Sequence, residues 1–153
     1  MNRSLVLIRF LDLLFAILGL IVLSPLVFLV AILVCFDQGF PSVFFVQNRV
    51  GLGGKVFRLV KFRTVNINAP EVATHLLDSS SVTRIGSLLR NLKLDELPQL
   101  VNVIKGDMSL VGPRPCLTSQ FELISLRKQN GVYSVRPGIS GVAQIRGIDM
   151  SRP

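Results

Sequence analysis

The stretch "LLFAILGLIVLSPLVFLVAILVCF", Leu13 to Phe36, decides the fold. It carries no charge, and as a straight helix it would reach about 36 Å, enough to cross the hydrocarbon core of a bilayer. It is too long for a secretory leader, and no small-residue cleavage site follows it. Two features complicate a plain spanning helix. Ser24-Pro25 sits mid-run, where proline removes a backbone hydrogen bond and crowds the preceding turn. The Ser24 hydroxyl can satisfy part of the freed backbone. Cations also flank both ends: Arg3 and Arg9 before the run, and Arg49, Lys55, Arg58, Lys61 and Arg63 after it, with only Asp37 between. Positive flanks favour the cytoplasmic side, so both ends are pulled to one face. From these residues alone, a kinked spanning helix and a re-entrant helix broken at Ser24-Pro25 stand level.

Outward from this run, the 153 residues amount to one domain with an appendage. Seventeen Lys and Arg against nine Asp and Glu give a net charge of +8, which suits phosphorylated substrates, anionic lipid or nucleic acid. A nucleic-acid role is weakened by a single Tyr, no Trp and the apolar front end. Cys35 lies inside the apolar run and Cys116 far along the chain, which does not resemble a disulfide scaffold. With His75 as the lone histidine, any metal is expected to be a hard cation on oxygen ligands.

"PSVFFVQNRVGLGGKVFRLVKFRTV", 41 to 65, reads as a β-hairpin around Gly51-Leu52-Gly53-Gly54. Extended backbone sets Lys61 and Arg63 on one face and Phe62 on the other; such a pair is either a solvated edge or a phosphate-facing couple. "GLGGK" is not a phosphate loop, because the glycine spacing is wrong and Val56 stands where Ser or Thr is needed. Residues 66 to 81 are polar and weakly patterned, a loop in which His75 reads as surface. Val82, Ile85, Leu88, Leu89 and Leu92 mark a short helix, with Arg84 and Arg90 off its apolar stripe.

"KLDELPQLVNVIKGDMSLVGPRP", 93 to 115, then gives a helix whose inner face is Leu97, Leu100, Val101 and Ile104. Gly106 stops it, and Lys105 suits its last turn. Pro98 is tolerable only in a first turn, which places the start at Asp95 or Glu96. Asp95 is then either an N-cap or an ionised nucleophile beside a phosphate, the repulsion being offset by a divalent cation and arginines. Asp107 offers oxygen, and Arg114 is held between Pro113 and Pro115. "RPGISGVAQIRG", 136 to 147, repeats the style of a shaped loop.

These motifs together resemble the bacterial sugar transferases, the small monotopic polyprenyl-phosphate phosphoglycosyl transferases. The match takes in Ser24-Pro25, "KFRT" at 61 to 64, "TRIGSLLR" at 83 to 90, the 94 to 115 stretch and "RPGISGVAQIRG". The resemblance implies an α+β, mainly helical fold. A re-entrant helix over 1–38 carries a cytoplasmic catalytic domain over 39–153, at the inner membrane of a bacterium. It implies transfer of a sugar-1-phosphate from a UDP-sugar to polyprenol phosphate with Mg2+, releasing UMP. Asp95 would be the nucleophile that carries the phosphosugar, and Glu96 its dyad partner, both near the metal. Arg114 would be a phosphate ligand, with Lys61, Arg63, Arg90, Arg136 and Gln144 as further binding residues. Membrane lipids are expected partners and nucleic acid is not; the oligomeric state is left open, a homodimer included. The chain stops soon after this last motif where relatives continue, and "SSSVTRIG" lacks their Pro-Arg pair. A catalytically inactive, truncated membrane partner is therefore the alternative reading.

Overall fold

The computed structural model describes residues 3–40, 42–69 and 81–146. His75, most of the 66 to 81 loop and the end of the chain lie outside them. The first element, α1 (Arg3–Gln38), is a single helix with Pro25 inside it. Its helical hydrogen bonding continues past Ser24-Pro25. The cause is local. Pro25 lacks the N–H that would bond the carbonyl four residues back, which is Ile21. The Ser24 hydroxyl donates to that same carbonyl at 2.8 Å, so the orphaned acceptor is satisfied and the helix continues.

One stripe of α1 is covered, on the same face before and after Pro25. Asp12 and Ala16 belong to it in the first half, Val30 and Val34 in the second. Ala16 packs with Leu59, Leu100, Val103 and Met108. Val30 and Val34 pack with Val43, Phe62 and Leu89. Polar contacts add direction at the N-terminal end. The Arg9 guanidinium donates to the Ile104 and Met108 carbonyls at 3.1 and 3.5 Å. The Asp12 carboxylate accepts from the Ser109 hydroxyl at 2.9 Å and the Leu110 N–H at 3.0 Å. The rest of α1 is bare: Ile21, Val22 and Phe28 each expose about two thirds of their surface.

The hairpin forms as its turn residues demand. β1 (Phe44–Val50) and β2 (Val56–Phe62) pair antiparallel, and Gly53 and Gly54 take φ of 65° and 74° in the turn between them. Phe45 faces Lys61 and Arg49 faces Phe57. Lys61 and Arg63 share a face, both over the Phe45 ring at 5.3 and 5.4 Å, while Phe62 stacks on Phe44 at 5.4 Å.

The helix α2 (Arg84–Asn91) opens on Thr83, whose hydroxyl accepts from the Gly86 N–H at 2.9 Å. Gly86 rests on the Thr64 backbone so closely that a Cβ would collide with it. α3 (Gln99–Lys105) ends on Gly106 at φ 94°, as expected, but starts later than Asp95 because Pro98 takes the cap position. Buried Asn102 stitches it to β2, donating to the Arg58 carbonyl at 2.8 Å and accepting from the Val60 N–H at 3.1 Å. β3 (Ser109–Val111) follows, and β4 (Cys116–Leu117) pairs with the free edge of β1, giving the order β2-β1-β4. α4 (Phe121–Gln129) leads to β5 (Gly138–Ser140), which runs parallel to β3, and to α5 (Val142–Ile145). Gly138 and Gly112 meet backbone to backbone with no room for a side chain. The expected mixture of helix and sheet is present. Cys35 and Cys116 are free thiols.

Candidate active site

Asp95 and Glu96 lie in a 3-10 turn, Leu94–Glu96, set between α2 and α3. Lys93 opens that turn at φ 57°, a left-handed conformation that costs a non-glycine residue about a kilocalorie per mole or more. The strain turns the chain so that Asp95 points inward, only 6% exposed. Asp95 is not the cap of α3, and its carboxylate makes no hydrogen bond to a described residue. Its neighbours are charges. Burial raises its pKa, Glu96 raises it further, and Lys61, Arg90 and Lys93 pull it back. The sequence led us to expect an aspartate kept ionised by a helix end. Desolvation and the adjacent carboxylate instead outweigh the cations.

Each cation is delivered by a different element. Lys61, at the end of β2, is buried enough that its pKa falls to about 8; Asp95 opposes the fall, while Arg49, Arg90 and Arg114 add to it. Arg90, in the last turn of α2, donates from Nε to the Thr64 hydroxyl at 2.8 Å, which fixes its reach toward Asp95. Burial lowers its pKa and Asp95 opposes. Arg114 crosses from the Pro113–Pro115 turn to Glu96, with Nη1 to Oε1 at 3.5 Å. That turn is held on both sides: the Gly112 N–H donates to the Ser140 carbonyl at 2.8 Å, and the Gly138 N–H to the Pro113 carbonyl at 3.1 Å. The structure thus brings Lys61, Arg90, Asp95, Glu96 and Arg114 together.

Other residues singled out by the sequence stand elsewhere. Arg63 donates from Nε to the Ser42 carbonyl at 3.0 Å and covers Phe45. Arg136 donates from Nε to the Gly106 carbonyl at 2.9 Å, where α3 ends. Gln144 lies on α5, and its side chain is outside the described set. Asp107 accepts from Asn102 at 3.2 Å, beside α3 rather than beside Asp95. Sequence reasoning passed over Arg49, which the β1–β2 register places on the face that carries Lys61.

Among the described residues no three His, Cys, Asp or Glu side chains cluster as a metal cage. Two neighbouring carboxylates beside a cationic wall still fit one hard cation, Mg2+. It commonly binds one or two carboxylates and completes its shell with water and substrate phosphate.

The model of the bacterial sugar transferase family matches residues 3–152, and the chain belongs to that family. It is 42% identical over 144 residues to the UDP-glucose:undecaprenyl-phosphate glucose-1-phosphate transferase of Caulobacter vibrioides, covering 92% of this chain and 54% of that protein. It is 42% identical over 156 residues to the exopolysaccharide production protein ExoY of Sinorhizobium fredii, covering 91% and 68%. Against the UDP-N-acetylgalactosamine-undecaprenyl-phosphate N-acetylgalactosaminephosphotransferase of Aeromonas hydrophila it is 40% identical over 141 residues, covering 90% and 33%. The chain therefore spans about half the length of the first of these relatives and a third of the last.

Proposed function

We propose that this protein transfers a sugar-1-phosphate from a UDP-sugar to polyprenol phosphate, by way of a phosphosugar held on Asp95. The observation that carries the reading is a buried carboxylate with no hydrogen bond to a described residue, set among Lys61, Arg90 and the Glu96–Arg114 pair. A salt-bridge scaffold would pair each charge; here Asp95 has no ion pair among the described residues, and several cations act on it.

In the first step an Asp95 oxygen attacks the phosphorus bearing the sugar. The bond from that phosphorus to the bridging oxygen breaks, and its electron pair leaves with UMP. In the second, an oxygen of polyprenol phosphate attacks the same phosphorus and the bond to Asp95 breaks, giving the polyprenyl diphosphate sugar. Partial desolvation raises the basicity of the Asp95 carboxylate, which makes its anion a stronger nucleophile. Lys61, Arg90 and Arg114 bind and neutralise the phosphate oxygens where charge shifts. Bound Mg2+, held by Asp95 and Glu96 with the phosphates, would supply further neutralisation of the donor's charge.

The acceptor's phosphate rides at a membrane surface. The bare apolar face of α1 supports membrane association, an 18-residue window within Ser4–Gln38 having a mean hydropathy of 3.0. Both halves of α1 pack on the same polar domain, which favours entry and exit at one face, the cytoplasmic side of the inner membrane, over a crossing. Tags placed at Met1 and after Gly39 are expected on the same side; opposite sides would show a spanning helix.

The decisive experiment incubates the membrane-reconstituted protein with a panel of UDP-sugars and Mg2+, following UMP release and the mass of the trapped protein. We expect an adduct on Asp95, and Asp95→Asn to lose capture by a thousandfold or more, on the order seen when a covalent nucleophile is removed. An adduct on another side chain, or equal capture by the variant, would defeat the assignment. No UMP release from any donor would favour an inactive partner.

A further inference from the structure

Arg49 has no part in the chemistry above, yet its placement is costly. On the covered face of the hairpin Phe45, Gln47 and Arg49 stand opposite Lys61, Leu59 and Phe57. Its Nη1 donates to the Pro115 carbonyl at 3.0 Å and its Nη2 to Gln47 Oε1 at 2.7 Å. Its Nε is buried without a hydrogen-bond partner among the described residues. Among the described residues the ion pair nearby is Arg114 with Glu96, and no carboxylate pairs with Arg49. Burial brings its pKa down to about 10, Arg114 pushes the same way, and Glu96 opposes.

A desolvated guanidinium with an idle N–H, beside like charges, costs folding free energy. Strand pairing alone does not account for it. β1 and β4 are already joined through backbone at Arg49–Leu117 and Val50–Cys116. What the side chain adds is a grip on the carbonyl just past Arg114. Arg127 holds the other side, its Nη1 donating to the Arg114 carbonyl at 2.6 Å. With Pro113 and Pro115 limiting the backbone, two neighbouring carbonyls clamped by two arginines fix where the Arg114 side chain departs.

We propose that Arg49 is a positioning residue: it clamps the Pro113–Pro115 turn so that Arg114 meets the diphosphate of the nucleotide donor. The inference rests on the donor reading above and names a group on which that reading does not depend.

The test is calorimetric titration of UDP with Mg2+ into the whole chain in nanodiscs. Wild type is compared with Arg49→Gln, Arg49→Lys, Arg114→Gln and the Arg49→Gln/Arg114→Gln pair. Arg49→Gln is expected to weaken binding about tenfold, the size of one charge-assisted contact. The double variant should bind within about threefold of Arg114→Gln alone, because Arg49 acts through Arg114. Arg49→Lys, with charge but no fork, should recover only part of the loss. Damage to the fold would lower the binding stoichiometry and leave Kd unchanged, so the two effects separate. Wild-type affinity in Arg49→Gln, full recovery in Arg49→Lys, or losses that multiply to about a hundredfold would each overturn the inference. A wild-type protein that does not bind UDP would instead overturn the donor reading itself.

Discussion

Phe28 on α1 is 69% exposed and Phe36 is 87% exposed, whereas Lys61 is buried deeply enough to titrate near 8 and Asp95 is 6% exposed. In water both placements are unfavourable, and for opposite reasons. The helix shows apolar surface to solvent; the site withdraws charge from it. A bilayer would remove the cost of the first, and under the proposed reading an anionic phosphate would offset the cost of burying Lys61 and its neighbouring arginines. The adjacency of the two regions also teaches something, because Arg9 and Asp12 tie the membrane-facing helix to the segment that runs on to Arg114.

The sharpest break of this comparison is at Lys61. Lys61→Met should lower kcat/KM on the order of a hundredfold, comparable to removing one preorganised charge-stabilising donor. In wild type, kcat/KM should fall as pH rises through about 8, where the free protein loses the Lys61 charge. Stability of the empty protein should move the other way. The folded pKa lies below the ordinary 10.5, so the unfolded chain binds more protons between about 8 and 10.5 and stability rises over that window. Melting curves against pH, flattened in Lys61→Met, check it.

The opposite inversion puts charge on the helix. Phe28→Asp should cost membrane partitioning about 2.5–3.5 kcal/mol, read as a shift from vesicles to supernatant, and should lessen aggregation without lipid. Unchanged partitioning would mean that Phe28 does not face lipid. A smaller effect is expected at Glu96. Glu96→Gln removes the like charge that helps raise Asp95, so the acid limb of the pH profile should move to lower pH. The smallest is at Ser24, where alanine leaves the Ile21 carbonyl unpaired at a cost of about 1 kcal/mol in unfolding measurements.

Much of this was readable from residue order. The hairpin followed from β-rich arms around glycines, and the end of α3 from Gly106. The grouping of Lys61, Arg90, Asp95, Glu96 and Arg114 came from motif resemblance rather than from spacing. What escaped was non-local. Arg49 looked like one more flanking cation, and only the register of β1 on β2 shows it sharing a face with Lys61. The three-residue strands β3 and β5 are too short to show a period, and their parallel pairing joins segments far apart in sequence. At Pro25 one hydroxyl replaces one amide in bonding the Ile21 carbonyl, a local repair that hydropathy does not register.

The glycines packed against backbone have an evolutionary corollary. Any missense change in the codon of Gly138 or Gly86 adds at least one carbon, and that carbon lands on backbone of another segment, which cannot rotate away. In a saturation library these columns should be empty. Gly39, whose added carbon would meet nothing, should still admit asparagine, the residue that best tolerates its φ of 78°.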